Sequence, residues 1–529
     1  MYQTKTVAKS AMTIMIFTLL SKLLGFLREV LIATKFGSGI ETDAYFVANT
    51  ACNFIIGVIG YSLTITLIPI ISNMSGERLH TTKITHNSSN SLKCNTNINN
   101  YMNSIVNITI LFSLAISITT WFISPILIKL LAKGFEGEQF ILAVKLTKIG
   151  VPIIILTACN SIFSGFLQGN QKFNINAAIG IPSNVIFIIF LIFFSQSFGT
   201  EGLMVASVIA MLTQLLLQLY SAYKIKYSYK MKIKSKDEYV KNTFYMIIPV
   251  ILGSMVNKIN TVVDKTLASE LVNGSISSLN YSNIINSLIL NIFVIGITTV
   301  IYPILSKEFM KKNIKSIKII LKKSINIILI VIIPTTIGIM ILSKPLIILF
   351  YERGAFDSNA TKMTSLALVF YSIGLVGISI RNILDKTFYS FKDTKTPMIN
   401  GILTVVVNII LNLALVRFMA HLGLALATSI AEIFGAMLLI ISLRKKIGSF
   451  SIKFYSKFLM KLGLSASIMG VIVYFTYNSL DYMNYNFIFR LITLLIIILI
   501  GAIIYIFLCY ILRIEEVKVF FKYIKRRYL

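Results

Sequence analysis

Apolar runs of span length recur along this chain from Ala11 to Leu512. A helix rises about 1.5 Å per residue, so a run of about 18 residues or more can cross roughly 30 Å of hydrocarbon. Hydrocarbon offers no partner for backbone N–H and C=O groups, and a run of this length satisfies them internally as an α-helix. The runs fall at roughly 11–34, 43–72, 101–128, 141–168, 175–197, 202–223, 242–264, 278–305, 319–343, 362–390, 397–416, 422–443, 458–478 and 487–512. The expected fold is therefore an all-α polytopic membrane protein of about fourteen transmembrane helices. Only 13% of residues are charged, about half the share of a soluble domain. Several runs exceed the minimum length, which implies tilt or extension beyond the bilayer.

The formal net charge is +30 from 50 Lys and Arg residues, and their placement decides what that charge means. Counting loops together with the span ends beside them, 34 fall with the N-terminus, the even-numbered loops and the C-terminus, 11 with the odd-numbered loops, and five inside spans. Lys and Arg are retained on the cytoplasmic side, so both termini are expected in the cytoplasm. The charge is thus a topology signal and a contact for anionic membrane lipids, with no nucleic acid partner implied. Lys5 and Lys9 precede a first run that lacks a small-residue cleavage site, which reads as a retained helix rather than a signal peptide. Residues 73–100, rich in Asn, Ser and Thr, read as a disordered cytoplasmic insertion. The basic, aromatic tail 513–529 reads either as a segment on the inner membrane surface or as a solvated end. Cys52, Cys94, Cys159 and Cys509 have no CxxC spacing, which supports neither zinc nor a disulfide framework.

The turn GFLQGNQKFNIN after span 4 resembles FYSFKDTKTPMIN after span 10, with Asn170 opposite Asp393 and Lys172 opposite Lys395, 223 positions apart. Two six-helix halves follow if the match is a repeat, and transporter substrate sites lie between such halves. Polar turns also resemble one another by chance.

Charged groups near the bilayer centre cost about 2.5–3.5 kcal/mol on insertion scales, so each should face a partner or a water-filled cavity. On span 1, Lys22 and Glu29 share a helix face and Arg28 sits beside them. Asp43 opens span 2, either as a helix-terminus carboxylate or in a functional role. Lys258 and Asp264 on span 7 lie on different faces, so each should look to another helix. Arg381 and Asp385, four apart on span 10, could neutralise each other, while Glu432 on span 12 has no local partner. Asn408 and Asn412 project to one side of span 11. With Asp264 and Thr428 they could form an oxygen-lined cation site or simply hydrogen-bond across helices. Guanidinium and ammonium groups on spans 1 and 7 suit an anionic headgroup such as a diphosphate. No Walker A, HExxH or nucleophile-elbow motif occurs, and His80, His86 and His421 form no ligand cluster, so a transporter rather than an enzyme is expected.

The segments SKLLGFLREVLIATKFGSGIETDAYFVA (21–48), AKGFEGEQFILAVKLTKI (132–149), VDKTLASEL (263–271), FYERGAFDSNAT (350–361) and FYSFKDTKTP (388–397) occur in one order. In that order they resemble the MurJ (MviN) family of lipid II flippases, within the superfamily of multidrug and polysaccharide exporters. The resemblance covers essentially the whole length. It implies two six-helix lobes in a V, at 1–223 and 224–446, with spans 13 and 14 at 447–529 adding a groove for a lipid tail. It implies alternating access that carries undecaprenyl-diphosphate-linked peptidoglycan precursor to the outer leaflet of a bacterial cytoplasmic membrane, for cell-wall synthesis. Cavity residues would be Lys22, where many members have Arg, with Arg28, Glu29 and Asp43, and Lys258 as a partial substitute for missing cations. A sodium site would map to Asp264, Asn408, Asn412, the carbonyl of Leu424, and Thr428, with Asn412 replacing a family Asp; no other cofactor is implied. Gly57 and Ile284 stand where the family has cavity arginines. Those departures leave open a different undecaprenyl-linked glycan, or a non-transporting scaffold for the cell-wall synthesis machinery. A cation antiporter of the same superfamily would instead need an acidic, aromatic cavity.

Overall fold

A computed structural model describes residues 2–85, 88–233, 237–448, 452–480, 486–519 and 522, and every element among them is helical. Among the described residues twelve helices are long and apolar enough to span a membrane, and one bent pair makes thirteen. Helix α1, Tyr2–Phe36, contains the stretch expected as the first span and is not one of those twelve. By contact the chain forms two compact units, Met1–Ser277 and Ser278–Leu529.

The first unit contains α1 and then α2 (Ile40–Thr85), α3 (Ser88–Leu131), α4 (Gly137–Gly150), α5 (Pro152–Gly169), α6 (Phe173–Ala178), α7 (Gly180–Phe193), α8 (Ser195–Lys224) and α9 (Glu238–Ser269). Helices α2 and α5 approach closely because Gly165 has no side chain: a Cβ there would lie 3.0 Å from the carbonyl oxygen of Thr64. The core of this unit joins Leu67, Ile71, Tyr101, Ile105, Phe163 and Tyr227. Outward faces carry exposed Leu111, Phe112, Phe122, Leu216 and Ile248, a pattern that suits lipid rather than water. Span 4, expected as one helix, is broken where Pro152 removes a backbone donor, giving α4 and α5. The polar stretch 73–100, expected to lack structure, instead extends α2 to Thr85 and opens α3 at Ser88, with residues 86 and 87 outside the described residues. Extending a helix already nucleated in the membrane costs far less than starting one, so weak local propensity does not stop it.

The second unit continues with α10 (Ser275–Ile289), whose first residues still belong to the first unit, then a π-helical segment Leu290–Ile295 and α11 (Gly296–Met310). It then holds α12 (Ile314–Phe350), α13 (Ser358–Ile373), α14 (Leu375–Ser390), α15 (Lys395–Met419), α16 (His421–Ile447), α17 (Ile452–Asn478) and α18 (Phe487–Ile511). Span 10 is the bent pair α13–α14, turned by 44°. The bend has a cause: Ser429 Oγ on α16 donates to the Phe370 carbonyl and accepts from Gly374 N–H, inserting a side chain into the helical ladder. Helices α12, α17 and α18 share a core that includes Leu329, Leu462, Met469 and Tyr505. The start of the tail folds onto it through Ile514 and Val517, with Asn326 Nδ2 donating to Glu516 Oε1 at 2.5 Å. Residues 520, 521 and 523–529, part of the tail expected at the membrane surface, lie outside the described residues.

The two units repeat one backbone pattern at an offset of 221 rather than 223. Glu136 and Asp357 hold the extended N-cap positions of α4 and α13. Gln171 and Lys392 adopt positive φ of 61° and 58°, and Gly199 and Ala420 adopt 54° and 48°. Lys172 therefore stands opposite Asp393, two positions from the pairing that residue identity indicates. The turn at 171 and 392 alone would prove little, because Lys226, Lys312 and Arg513 end other helices in the same left-handed way. All five ends lie in loops that the charge count assigns to the cytoplasm, and four place a basic residue at a helix C-terminus, where the macrodipole favours it.

Candidate transport site

In the first unit Arg28 is held on three sides. Its Nε and NH2 donate to Glu29 Oε1 at 3.2 and 2.5 Å, its NH1 donates to Asn184 Oδ1 at 3.3 Å, and its guanidinium lies 4.9 Å from the ring centroid of Phe187. Asn184 in turn donates to the Ser21 carbonyl at 3.0 Å, tying α7 to α1. Glu29 is buried, and its Oε2 has no hydrogen-bond partner among the described residues. The cation is thus balanced by the residue beside it in sequence, and one carboxylate oxygen remains available to an exchanging partner. Lys22 and Lys258 are exposed. The charged stripe expected on α1 is present, but Asn184 and Phe187, which orient its arginine, come from α7 and carried no signal in sequence.

Asp43 is buried in the first turn of α2. It does not cap its own helix. Its Oδ2 accepts from Gly274 N–H at 2.8 Å and its Oδ1 from Ser277 N–H at 2.7 Å, at the start of α10. Ser38 Oγ donates to the Gly274 carbonyl and lies 2.8 Å from Ser277 Oγ. Gly274 has φ of +90°, and a Cβ there would sit 2.8 Å from the Ser38 carbonyl oxygen, so conformation and space both demand glycine. Lys265, placed at a loop edge by span counting, lies inside α9; its Nζ donates to the Phe46 carbonyl at 2.9 Å and to Thr50 Oγ1. It is within electrostatic reach of Asp43 and Lys258.

In the second unit Arg381 is paired across helices. Its NH1 bonds both carboxylate oxygens of Glu432 at 3.1 and 3.0 Å, whereas Asp385 stands 4.0 Å away. The pair that four-residue spacing indicates is the weaker one, because α16 presents a better-aligned carboxylate. Asn412 Nδ2 donates to Asn408 Oδ1 at 2.9 Å, Asn408 Nδ2 to Thr428 Oγ1 at 3.3 Å, and Thr428 Oγ1 to the Leu424 carbonyl at 3.0 Å. Four of the five expected cation ligands therefore meet between α15 and α16. Asp264 belongs to the first unit and accepts from Asn260 Nδ2 at 3.5 Å. The four are neutral oxygen donors, a chemistry that fits a hard monovalent cation when a carboxylate supplies the charge.

Comparison with known proteins is consistent along the chain. The sequence model of the family described as lipid II flippase MurJ matches residues 32–496. A probable lipid II flippase MurJ of Buchnera aphidicola subsp. Acyrthosiphon pisum is 29% identical over 522 residues, 97% of this chain and 99% of that protein. A solved structure titled lipid II flippase MurJ, inward closed conformation, is 30% identical with a TM-score of 0.78, covering 94% of this chain and 98% of that one. A multidrug resistance MATE family transporter shares the fold at 14% identity and a TM-score of 0.69, covering 81% of this chain and 94% of its own. With the family model matched over most of its length and the fold matched over 94% of it, the chain belongs to the lipid II flippase MurJ family.

Proposed function

We propose that this chain is a lipid II flippase that moves undecaprenyl-diphosphate-linked peptidoglycan precursor from the inner to the outer leaflet by alternating access. The observation that carries the reading is Arg28, a guanidinium inside an apolar span whose only ion-pair partner among the described residues is the neighbouring Glu29. A diphosphate offers that guanidinium the same bidentate geometry as a carboxylate with more charge, so substrate can displace Glu29. Lys22 and Lys258, both exposed, add positive charge for the headgroup. Asp43 acts in gating by holding or releasing the start of α10. The two six-helix halves 1–223 and 224–446 do the moving, and residues 447–529 serve the lipid tail.

A sodium ion would be held by Asn408, the Leu424 carbonyl and Thr428, with Asn412 orienting Asn408 and Asp264 supplying the charge. Such an ion would supply coupling to a gradient, since one charge crossing 100 mV is worth about 2.3 kcal/mol. The membrane is the bacterial cytoplasmic membrane with both termini inside, a topology supported by the 34-to-11 asymmetry in Lys and Arg. Anionic lipids and the cell-wall synthesis machinery are the proposed partners.

Depletion of the protein in its host tests the assignment. Lipid II exposed on the outer leaflet should fall while the precursor accumulates inside; unchanged exposure with loss of another undecaprenyl-linked polymer would transfer the reading to that glycan. Gly57 and Ile284 favour that second reading. A Cβ on Gly57 meets nothing within 4 Å, so a side chain can start there without displacing a neighbour. Gly57→Arg, with protein level and melting temperature measured beside it, should raise lipid II export in the same exposure assay if a weak diphosphate grip limits the rate. Lowered export in a stably folded Gly57→Arg protein would argue that the open space serves a different headgroup.

A further inference from the structure

The linker between α8 and α9 is fastened to α3 by an asparagine ladder. Asn99, Asn103 and Asn107 lie one helical turn apart on α3. Their Nδ2 groups donate to the carbonyls of Lys226 at 3.3 Å, Ser228 at 3.1 Å, and Lys230 and Lys232 at 3.1 Å each. Tyr227 and Tyr229 return the bonds, their hydroxyls donating at 2.7 Å to Asn103 Oδ1 and Asn107 Oδ1. Six hydrogen bonds thus fix the path of a short loop, while its lysine side chains remain exposed at 230 and 232. The linker together with the helix ends beside it, residues 224–241, carries seven lysines against Asp237 and Glu238, and Asp237 is already engaged in capping α9 through Tyr239 N–H at 2.9 Å.

Beside this fixed basic strap is a cavity of about 430 Å³ between α3 and α9, lined by Ile108, Val240, Lys241, Phe244, Tyr245 and Ile248. Ile108 follows Asn107, so the cavity wall adjoins the rung that holds Lys230 and Lys232. Phe244, Tyr245 and Ile248 are 46%, 73% and 58% exposed, on a helix that spans the membrane. Lys241 and Ile248 are separated by seven residues, roughly 10 Å along the helix. That reach crosses a headgroup region about 5–7 Å thick and enters the acyl chains, and aromatic residues at this level are typical of the membrane interface.

We propose that this cavity is a binding site for an anionic phospholipid, with the headgroup phosphate against Lys230, Lys232 and Lys241 and an acyl chain along Phe244, Ile248 and Ile108. The apolar lining and its exposure favour a membrane lipid over a soluble anion, and the lysines favour an anionic lipid over a zwitterionic one. The site lies wholly in the first unit and does not depend on which glycan the protein carries.

The chain has one tryptophan, Trp121, so a Trp121→Phe background carrying Phe244→Trp, or Tyr245→Trp as a second reporter, reads local lipid by fluorescence. In nanodiscs of phosphatidylcholine, brominated phosphatidylglycerol should quench these reporters at a several-fold lower mole fraction than brominated phosphatidylcholine. Met460→Trp, at an exposed position on α17, should show no such preference. Lys230→Gln, Lys232→Gln and Lys241→Gln together should bring the quenching ratio at position 244 to that of the control, with unchanged monodispersity and melting temperature because all three side chains are exposed. Equal preference at 244 and 460, or a preference that survives the triple substitution, would overturn the site. Relief of quenching by soluble glycerophosphate would overturn the lipid as its ligand in favour of a free phosphate.

Discussion

An Arg28→Ala protein is expected to reach the membrane in normal amount and to lose lipid II export by about ten- to a hundredfold, the factor that one lost charge-assisted hydrogen bond of about 1.5–3 kcal/mol corresponds to. The substitution has a second effect that must be separated from the first. Glu29 is buried, and removing the cation bonded to it leaves a charge in low dielectric at a cost of about 3–5 kcal/mol. Loss of export by the single variant could then reflect misfolding. An Arg28→Ala/Glu29→Ala double variant removes both charges and should recover most of that stability. It should still fail to export, because the diphosphate has lost its guanidinium. Arg28→Lys keeps the charge but cannot bond Glu29, Asn184 and the Phe187 ring together, and it should fall between the parent and alanine. Outer-leaflet exposure of lipid II, measured beside protein level and melting temperature, distinguishes these cases. Full export by a stably folded double variant would remove Arg28 from the substrate site.

The same residue shows how far sequence reading reaches. Span length and polarity made the helices legible, because hydrocarbon allows few alternatives and the signal is spread over many residues. The charged positions on α1 were legible for the same reason: a Lys, Arg or Glu in an apolar run is conspicuous. What each charged group touches was not. Asn184 and Phe187 look like ordinary span residues until α7 is placed against α1. Glu432 lies 51 positions from Arg381 and wins over Asp385, four positions away, because of where α16 sits. Lys265 hid at a loop edge, and only the extension of α9 to Ser269 makes it an interior cation bonded to α2.

The repeat was legible in kind and wrong in register for a related reason. Identity matched Asn170 with Asp393, but backbone geometry pairs residues 221 apart, as the left-handed positions 171 and 392 and the breaks at 199 and 420 require. Side chains in a polar turn are interchangeable, whereas the turn's dihedral pattern is not. The helix break at Gly374 was invisible because its cause, Ser429, is on another helix. The polar stretch 73–100 misled in the opposite direction: composition weighs local propensity, and here the flanking membrane helices decide.

Asp43→Ala should be strongly destabilising. The carboxylate is buried and satisfies the N–H groups of Gly274 and Ser277 together. Each buried donor left without a partner costs about 1–3 kcal/mol, so the pair amounts to about 2–6 kcal/mol, with the lost charge at a helix N-terminus adding to it. The melting temperature should drop accordingly, and export should fail with it. Asp43→Asn separates cap from charge. Its single amide oxygen can satisfy one N–H, but the NH2 group then faces the other donor, so part of the stability returns and the negative charge does not. If Asp43 works in gating by letting go of α10 when a cation or proton competes for it, Asp43→Asn should remain folded, hold α10 weakly, and export little lipid II. Parent-level export by Asp43→Asn would mean that the residue is a cap and nothing more, since a neutral amide can serve as a fixed acceptor but cannot answer to charge.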